Sequence, residues 1–223
     1  MSSKKQYDFF VDKYVEEQKT HYEQYGDLPR ILIKKILPSL EKKKILDAGC
    51  GSGQDILLYQ NLKAEDIWGI DISNEMVLET KKKVASPKNI LNESIQKTSF
   101  PNDFFDIIIS RHALHYVEDM DEVYKEWQRI LKTNGIIIVV ADHPLRALTR
   151  KKNKIYGSRE IEEIILGDNI RIKLPAHTLK EYFSEKFFEH FKIDYYNEGY
   201  DSFEKERDEF LSPNFLIFKA TKK

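Results

Sequence analysis

The sequence has very little cysteine and no long apolar run, and both absences limit what the protein is. Its 223 residues include one cysteine, Cys50, which excludes a disulfide within the chain. The opening residues MSSKKQYDFF lack the apolar segment of a secretory signal peptide. No stretch is long enough to span a membrane. We therefore expect a soluble, cytoplasmic protein.

An excess of charge of either sign is also missing. The 36 basic and 37 acidic residues nearly cancel, so no overall field attracts nucleic acid or an anionic membrane surface. A hydrophobic content of 41% is enough to bury a full core. We expect a single domain without a nucleic-acid partner, present as a monomer or a homodimer.

Apolar runs alternate with helical patterns between residues 30 and 144. The runs at 105–110 and 135–141 are continuous, which is typical of strands buried on both faces of a sheet. Amphipathic patterns separate the runs, at 28–36, 56–62, 74–83 and 118–131. This alternation predicts an α/β fold with a doubly wound, mostly parallel sheet.

The flanking regions differ from this core. Residues 7–25 have the spacing of one or two amphipathic helices, in which the tyrosines pack on the core or Tyr14 or Tyr25 closes over a ligand. Residues 145–175 have the character of an insertion, with a possible helix at 160–166 and an apolar alternation at 170–172.

The C-terminal part contains one predicted helix and two predicted strands, at 178–188, 191–196 and 215–220. The two strands can close the sheet as an antiparallel pair. The predicted organisation is one domain with four parts: an N-terminal helical cap (1–29), a core (30–144), a lid insertion (145–180), and a C-terminal helix with closing strands (181–223).

A glycine turn follows the first predicted strand. Gly49, Gly51 and Gly53 alternate there, and glycine lets the backbone approach a ligand closely. The dinucleotide pattern GxGxxG fails, because its sixth position is Gln54 or Ile56, and the lysine of a P-loop is absent. A nicotinamide-dependent oxidoreductase is therefore disfavoured.

Two acidic residues flank this turn. Asp71 ends the second predicted strand, 20 residues after Gly51, where a carboxylate can accept both hydrogen bonds of a ribose diol. Asp47 ends the first strand, and its charge disfavours phosphate and favours a cationic ligand. Acids often end strands and glycine turns are common, but the joint spacing indicates a positively charged adenosine cofactor.

With these motifs the chain resembles the class I S-adenosylmethionine-dependent methyltransferases, in particular the small-molecule group similar to the ubiquinone/menaquinone biosynthesis methyltransferases. Residues 47–53 resemble the first motif of that family, 69–73 the second, and Phe105–Asp106 with Leu114–His115 the fourth. The resemblance implies a seven-stranded Rossmann-like sheet with an antiparallel last strand. It also implies S-adenosylmethionine as cofactor, S-adenosylhomocysteine as product, and in-line methyl transfer to a small-molecule acceptor.

The resemblance also implies roles for individual residues. It places the methionine end of the cofactor at the turn, the ribose at Asp71, the adenine between Ile72 and Met76, and the sulfonium near Ser110 and His115. The turn residues concerned are Asp47, Gly49, Cys50, Gly51 and Gly53. Family members usually have an aspartate at the adenine amino group where this chain has Ser94 and Ile95. The Ser94 hydroxyl, the Ile95 backbone and Glu93 are all open alternatives for that contact.

Deprotonation of a neutral acceptor needs a base. His143, just past the fifth strand with Asp142 beside it, and His115 are the candidates, and a structural role for either is an equal alternative. His177 can also face the pocket, unless Thr178 simply caps a helix. No metal-ligand spacing is present, so we expect no metal.

Two other functions were weighed against a small-molecule methyltransferase. Residues 110–115 lack the motif of enzymes that methylate the amino groups of nucleic-acid bases, and no basic stripe is evident. A non-catalytic adenosylmethionine-binding sensor or assembly protein is the alternative that the sequence leaves open.

Overall fold

A seven-stranded mixed sheet forms the centre of the protein. The computed structural model describes residues 3–64, 66–158, 161–166, 170–200 and 212–223. The strands are β1 (Lys44–Ala48), β2 (Asp66–Asp71), β3 (Ile90–Asn92), β4 (Phe105–Arg111), β5 (Leu131–Asp142), β6 (Ile161–Leu166), β7 (Ile170–Pro175), β8 (Phe191–Gly199) and β9 (Phe215–Lys222). The sheet has the order β3-β2-β1-β4-β5-β9-β8, and β6 and β7 form a separate hairpin.

The direction of the strands confirms the predicted Rossmann-like fold. Strands β1 to β5 pair in parallel, whereas β9 lies antiparallel between β5 and β8. The chain runs outward from β1 to β3 and then returns to place β4 on the other side of β1. In such sheets, ligands bind at the carboxyl ends of the strands where the order reverses. Here that point lies between β1 and β4.

Helices cover the sheet. Their bounds are α1 (Ser3–Tyr25), α2 (Leu28–Ile36), α3 (Gln54–Asn61), α4 (Asn74–Lys81), α5 (Met120–Ile130), α6 (Pro144–Arg150), α7 (Leu179–Tyr182) and α8 (Glu185–His190). The side chains of Asp27, Ser73 and Thr178 accept hydrogen bonds from backbone N–H groups in the first turns of α2, α4 and α7. These side chains therefore act as N-caps, and for Thr178 this is the capping role that the sequence allowed.

Successive residues of the central strands pack on opposite faces. Ile45 and Ile109 belong to one hydrophobic cluster, together with Ile33 of α2. Leu46 and Ile108 belong to the other, together with Trp127 of α5. This explains why consecutive residues are apolar in both strands, at 45–46 in β1 and 107–109 in β4. No helix in the described part of the chain is both long and apolar enough to cross a bilayer.

Two predictions for the C-terminal half were wrong. The predicted helix at 160–166 is strand β6, which pairs antiparallel with β7. Ile161, Ile164 and Ile165 are β-branched, which favours a strand once a partner strand is available. The predicted helix at 178–188 is two short helices, because Ser184 interrupts it and accepts the Phe187 N–H as the N-cap of α8.

Candidate functional site

A cavity of about 550 Å³ opens at the carboxyl ends of β1, β2 and β4. The glycine turn, the start of α4, the segments after β3 and β4, helix α1 and strand β7 all contribute to its wall. Nine of the predicted site residues line it: Tyr14, Gly49, Cys50, Gly51, Asp71, Ile72, Met76, Ser94 and Ile95. The fold therefore brings together the predicted cofactor residues from the first and second motifs and the segment after β3.

The glycine turn needs the conformations and the space that glycine provides. Gly49 has φ +85°, and a Cβ there would lie 2.2 Å from the Cβ of Ala113. Gly51 has φ +50°, but a Cβ there would meet nothing within 4 Å. The Gly49 and Cys50 N–H groups donate to the Ile70 carbonyl at 2.9 Å. The turn is thus held against β2 with its backbone close to the cavity.

Asp71 is fixed beside this turn. One of its oxygens accepts the Gly51 N–H at 2.9 Å, and the other accepts the Ser73 N–H at 2.9 Å. Burial raises the pKa of Asp71 to about 6, although these backbone N–H groups oppose the shift. Each oxygen keeps capacity for a further hydrogen bond, because a carboxylate has about four acceptor sites. The side chain can therefore accept bonds from a diol.

A group of four charged side chains lies under the turn. Asp55 accepts from Arg30 Nε at 2.7 Å and from Arg111 Nε at 2.5 Å. Asp27 lies 3.0 Å from Arg30 Nη1 and 3.4 Å from Arg111 Nη1. Burial opposes ionisation of Asp55, but the Arg111 and Arg30 guanidinium groups lower its pKa. Asp55 and Arg111 also line the cavity, so this charged group has a ligand-facing side.

Asp47 lies behind the wall of the cavity. It is 2% exposed, and its Oδ2 has no hydrogen-bond partner. Burial and the nearby Asp55 charge raise the pKa of Asp47 well above its usual range, and Arg111 opposes the shift. An unsatisfied carboxylate oxygen beneath a glycine turn is a site for a hydrogen-bond donor or a cation.

The rim of the cavity comes from several separated segments. Ser94 and Ile95 line it, and the Ser94 hydroxyl also accepts the Gln96 N–H at 3.2 Å. Glu93 instead accepts hydrogen bonds from the Ser99 hydroxyl and N–H, at 2.6 and 3.0 Å. Among the three alternatives for the adenine contact, the geometry therefore favours Ser94 and Ile95.

Tyr14 and residues 173–175 close the cavity from outside the core. The Gln18 amide donates to the Tyr14 hydroxyl at 2.5 Å, and both side chains line the wall. The side chain of Tyr25, the alternative to Tyr14, lies outside the described residues. Lys173, Leu174 and Pro175 of β7 form part of the wall, as an insertion over the carboxyl edge predicts.

Two other predicted residues have structural contacts away from the cavity. The Ser110 hydroxyl donates to the Ala48 carbonyl at 2.9 Å and is fully buried. Gly53, at φ +82°, precedes α3 and leaves no room for a side chain, because a Cβ there would lie 2.8 Å from Thr80. Both residues support the turn from beneath.

The two candidate bases also lie behind the wall. His143 is 2% exposed, its Nδ1 accepts the Leu145 N–H at 3.1 Å as the N-cap of α6, and its Nε2 lies 3.4 Å from Glu198 Oε1. His115 is 3% exposed, and its Nδ1 accepts the Asp142 N–H at 3.3 Å. His177 is buried at 3.7 Å from Glu181 and does not line the cavity.

His112 is the histidine that faces the cavity, and the sequence analysis missed it. Its φ is +55°, an uncommon conformation for a non-glycine residue. Burial and the Arg111 charge lower the pKa of His112 to about 3. Its ring is 6.0 Å from that of His115, and its Nδ1 is 3.9 Å from Asp142 Oδ1. One donor atom from each of these three residues fits within a span of 4.8 Å.

Asp55, Arg111 and His112 could have been found from their positions. Asp55 follows the glycine turn at the start of α3, and Arg111 and His112 come at and directly after the end of β4. Polar residues at the carboxyl ends of parallel strands share one edge of the sheet. We applied this rule to the residues at the ends of β1, β2 and β5. At the end of β4 we considered only Ser110 and His115.

Comparison with known proteins agrees with this geometry. A family model described as a methyltransferase domain matches residues 46–139, from β1 to β5. The match contains the glycine turn, Asp71, Arg111 and His112, so the methyltransferase domain supplies most of the cavity wall.

A solved structure extends the match to the whole domain. The structure described as a putative S-adenosylmethionine-dependent methyltransferase from Listeria monocytogenes has a TM-score of 0.70 and 25% sequence identity. The alignment covers 86% of this chain and 96% of that chain. The predicted resemblance to S-adenosylmethionine-dependent methyltransferases is confirmed.

Curated relatives match over part of this chain. An uncharacterised methyltransferase of Bacillus subtilis is 35% identical over 105 residues, which are 45% of this chain and 40% of the relative. A malonyl-[acyl-carrier protein] O-methyltransferase of Hamiltonella defensa is 26% identical over 163 residues, 70% of this chain and 62% of the relative. The chain spans about half the length of the curated relatives it matches.

Proposed function

We propose that the protein transfers a methyl group from S-adenosylmethionine to a small-molecule acceptor. The observation that carries this proposal is Asp71, which faces the cavity with both oxygens already oriented by backbone N–H groups of the turn and of the start of α4. A carboxylate held in this way accepts the two hydroxyl groups of a ribose without further ordering. The family match supports the same cofactor.

The residues that line the cavity fit this cofactor. Asp71 would hold the ribose, and Ile72, Met76 and Ile95 would flank the adenine. The turn from Gly49 to Gly51 would lie against the methionine end, where the buried Asp47 Oδ2, which has no hydrogen-bond partner, can accept a hydrogen bond from a donor group of the ligand. When bound, the sulfonium supplies an activated methyl group.

The rest of the chemistry is alignment and removal of water, which this chain would provide. Tyr14 and the β7 residues close the cavity, which supports the lid role of residues 145–180. The cavity of about 550 Å³ would also hold the cofactor, which leaves room for a small acceptor. The Hamiltonella relative is named as an O-methyltransferase, which favours an oxygen acceptor here.

Base catalysis by His143 or His115 remains a prediction. Both are behind the wall, so either would act on the acceptor only through another group or after a rearrangement. The cytoplasmic location, the lack of a nucleic-acid partner and the monomeric or homodimeric state are also predictions.

The alternative is a sensor or assembly protein that binds the cofactor without turnover. The deciding experiment incubates the protein with isotopically labelled S-adenosylmethionine and a metabolite extract, and measures S-adenosylhomocysteine formation. We expect formation that depends on the extract and is lost in Asp71→Ala. Calorimetric binding of S-adenosylhomocysteine without product above background would favour the non-catalytic alternative.

A further inference from the structure

Two histidines and a carboxylate converge where β4 and β5 end. His112 and His115 follow β4 on one loop, whereas Asp142 is the last residue of β5. One nitrogen of each imidazole and one oxygen of the carboxylate lie within 4.8 Å of one another. The sequence analysis expected no metal, because no local ligand spacing is present. The two histidines are three positions apart, and the fold adds Asp142, which is 27 or more positions further along the chain.

The distances between these three side chains are close to those between the ligands of a metal ion. Ligands at about 2.0–2.2 Å from a tetrahedral or octahedral metal lie about 3.0–3.5 Å from one another. His112 Nδ1 and Asp142 Oδ1 are 3.9 Å apart, so small side-chain rotations bring them into range. The His115 Nδ1 bond to the Asp142 N–H is long at 3.3 Å and is therefore a weak hydrogen bond.

Two arginines lie near this group. Arg146 Nη1 is 3.9 Å from Asp142 Oδ1, so a divalent ion would compete with this guanidinium for the carboxylate. The Arg111 charge next to His112 is offset by Asp55 at 2.5 Å and Asp27 at 3.4 Å. A divalent ion bound here therefore has to displace Arg146, whereas the charge of Arg111 is already paired.

The group is buried on one side and reaches the cavity on the other. Asp142 and His115 are 8% and 3% exposed, whereas the His112 side chain is 28% exposed and lines the wall. Tyr116, whose ring is 4.4 Å from that of His115, lines the same wall. An ion held by the three residues would thus have its open coordination positions toward the cavity.

We propose that His112, His115 and Asp142 bind a divalent first-row transition metal, with Zn²⁺ as the reference ion. Two imidazoles and one carboxylate with open positions form a ligand set that suits Zn²⁺ and Fe²⁺. The open side selects an acceptor with an oxygen ligand, such as a hydroxyl or a carboxylate. This selection rests on the proposed methyltransferase function, whereas metal binding does not.

The test titrates the full-length protein, freed of metal with a chelator, with Zn²⁺ by calorimetry and with Co²⁺ by visible absorption. We expect one equivalent of either ion and a Co²⁺ spectrum without thiolate charge-transfer bands, which excludes Cys50 as a ligand. His112→Asn and Asp142→Asn should weaken Zn²⁺ binding by at least about tenfold, since even outer-shell changes cost that much. His190→Ala, on α8, should leave it unchanged.

His112→Asn is chosen because asparagine tolerates the φ of +55° at this position, and circular dichroism should confirm that the variant folds. Absence of stoichiometric Zn²⁺ binding, or equal affinity in wild type, His112→Asn and Asp142→Asn, overturns the proposal. Calorimetry with S-adenosylhomocysteine on the metal-free protein separates the two hypotheses. Cofactor binding without Zn²⁺ binding rejects the metal site alone, and Zn²⁺ binding without cofactor binding rejects the proposed function alone.

Discussion

The two ends of the cavity are built in different ways. At the cofactor end, Gly49, Gly51, Asp71 and Ser73 lie within 25 residues of sequence and hold one another through backbone N–H groups. At the other end, which we propose holds the acceptor, His112 and residues 173–175 line the wall and Asp142 lies behind it, and these residues come from three separate segments. A binding region whose residues are close in sequence can be recognised from a sequence motif. A binding region assembled by tertiary packing from distant segments has no such motif.

The largest expected effect breaks the cofactor end at Gly49. Gly49→Ala combines a φ of +85° with a Cβ 2.2 Å from that of Ala113, and we expect a loss of about 3–5 kcal/mol in the free energy of unfolding. The matched control is Gly51→Ala, which meets no neighbour and should lose about 1–2 kcal/mol from its φ alone. Denaturant unfolding measures both.

The clash itself can be separated from the φ strain. The double variant Gly49→Ala with Ala113→Gly removes the contacting methyl group and should recover much of the lost free energy of unfolding, relative to the two single variants. If the double variant loses as much free energy of unfolding as the two single variants lose together, the close approach of the turn to residue 113 is not what excludes a side chain.

The next effect concerns affinity for the cofactor product. Asp71→Ala should weaken S-adenosylhomocysteine binding by roughly 1.5–3 kcal/mol, because charge-assisted hydrogen bonds to the ribose are lost. Asp66→Ala, at the other end of β2 and partly exposed, is the control and should bind as the wild type does. Isothermal calorimetry gives both values, and unchanged affinity in Asp71→Ala would refute the ribose assignment.

The pH dependence of this affinity sharpens the same assignment. The pKa of Asp71 is raised to about 6 by burial, and only its ionised form is a pure acceptor. Affinity for S-adenosylhomocysteine should therefore fall roughly tenfold between pH 7 and pH 5. The Asp71→Asn variant should bind weakly with no such dependence in the same calorimetric series.

The stability of the fold depends on pH in the opposite direction to the cofactor affinity. The pKa of Asp71 is raised in the folded state above its ordinary 3.8, so the protonated form stabilises the fold. That contribution is fully present below about pH 4 and is lost as the pH rises through about 6. Thermal unfolding of wild type relative to Asp71→Asn across this range measures it.

The smallest effect concerns His143, which lies behind the cavity wall. Its Nδ1 caps α6, so His143→Ala should lose about 0.5–2 kcal/mol in the free energy of unfolding. A catalytic His143 predicts in addition that methyl transfer falls while S-adenosylhomocysteine affinity stays intact. His143→Asn keeps a capping oxygen but cannot act as a base. Transfer retained in His143→Asn would therefore leave only the structural role.

Much of the cofactor end could be predicted from the sequence because its constraints are local. The spacing from Gly51 to Asp71 predicts that both residues belong to one ligand site, and in the structure both line the cavity and are joined by a 2.9 Å hydrogen bond. The strands of the core were also predictable, since β1 and β4 are buried on both faces and read as apolar runs. The prediction needed only residues that are neighbours along one strand–turn–helix unit.

The acceptor end could not be predicted in the same way. The segment 161–166 forms a strand because it pairs with β7, and the periodicity of the segment gives no information about that partner. His112 faces the cavity with a φ of +55°, and nothing in the sequence of this loop predicts that conformation. The position of His143 behind the wall follows from its cap on α6, a helix that the sequence analysis did not identify.

The place of β9 has a consequence for how the protein is made. This strand pairs with β5 on one side and β8 on the other, and its Phe218 belongs to the core. During synthesis, β5 is complete some 70 residues before β9 leaves the ribosome, so an apolar strand edge stays open to solvent meanwhile. Such an edge recruits foreign strands. We therefore expect nascent chains stalled before residue 215 to be aggregation-prone and to need a chaperone.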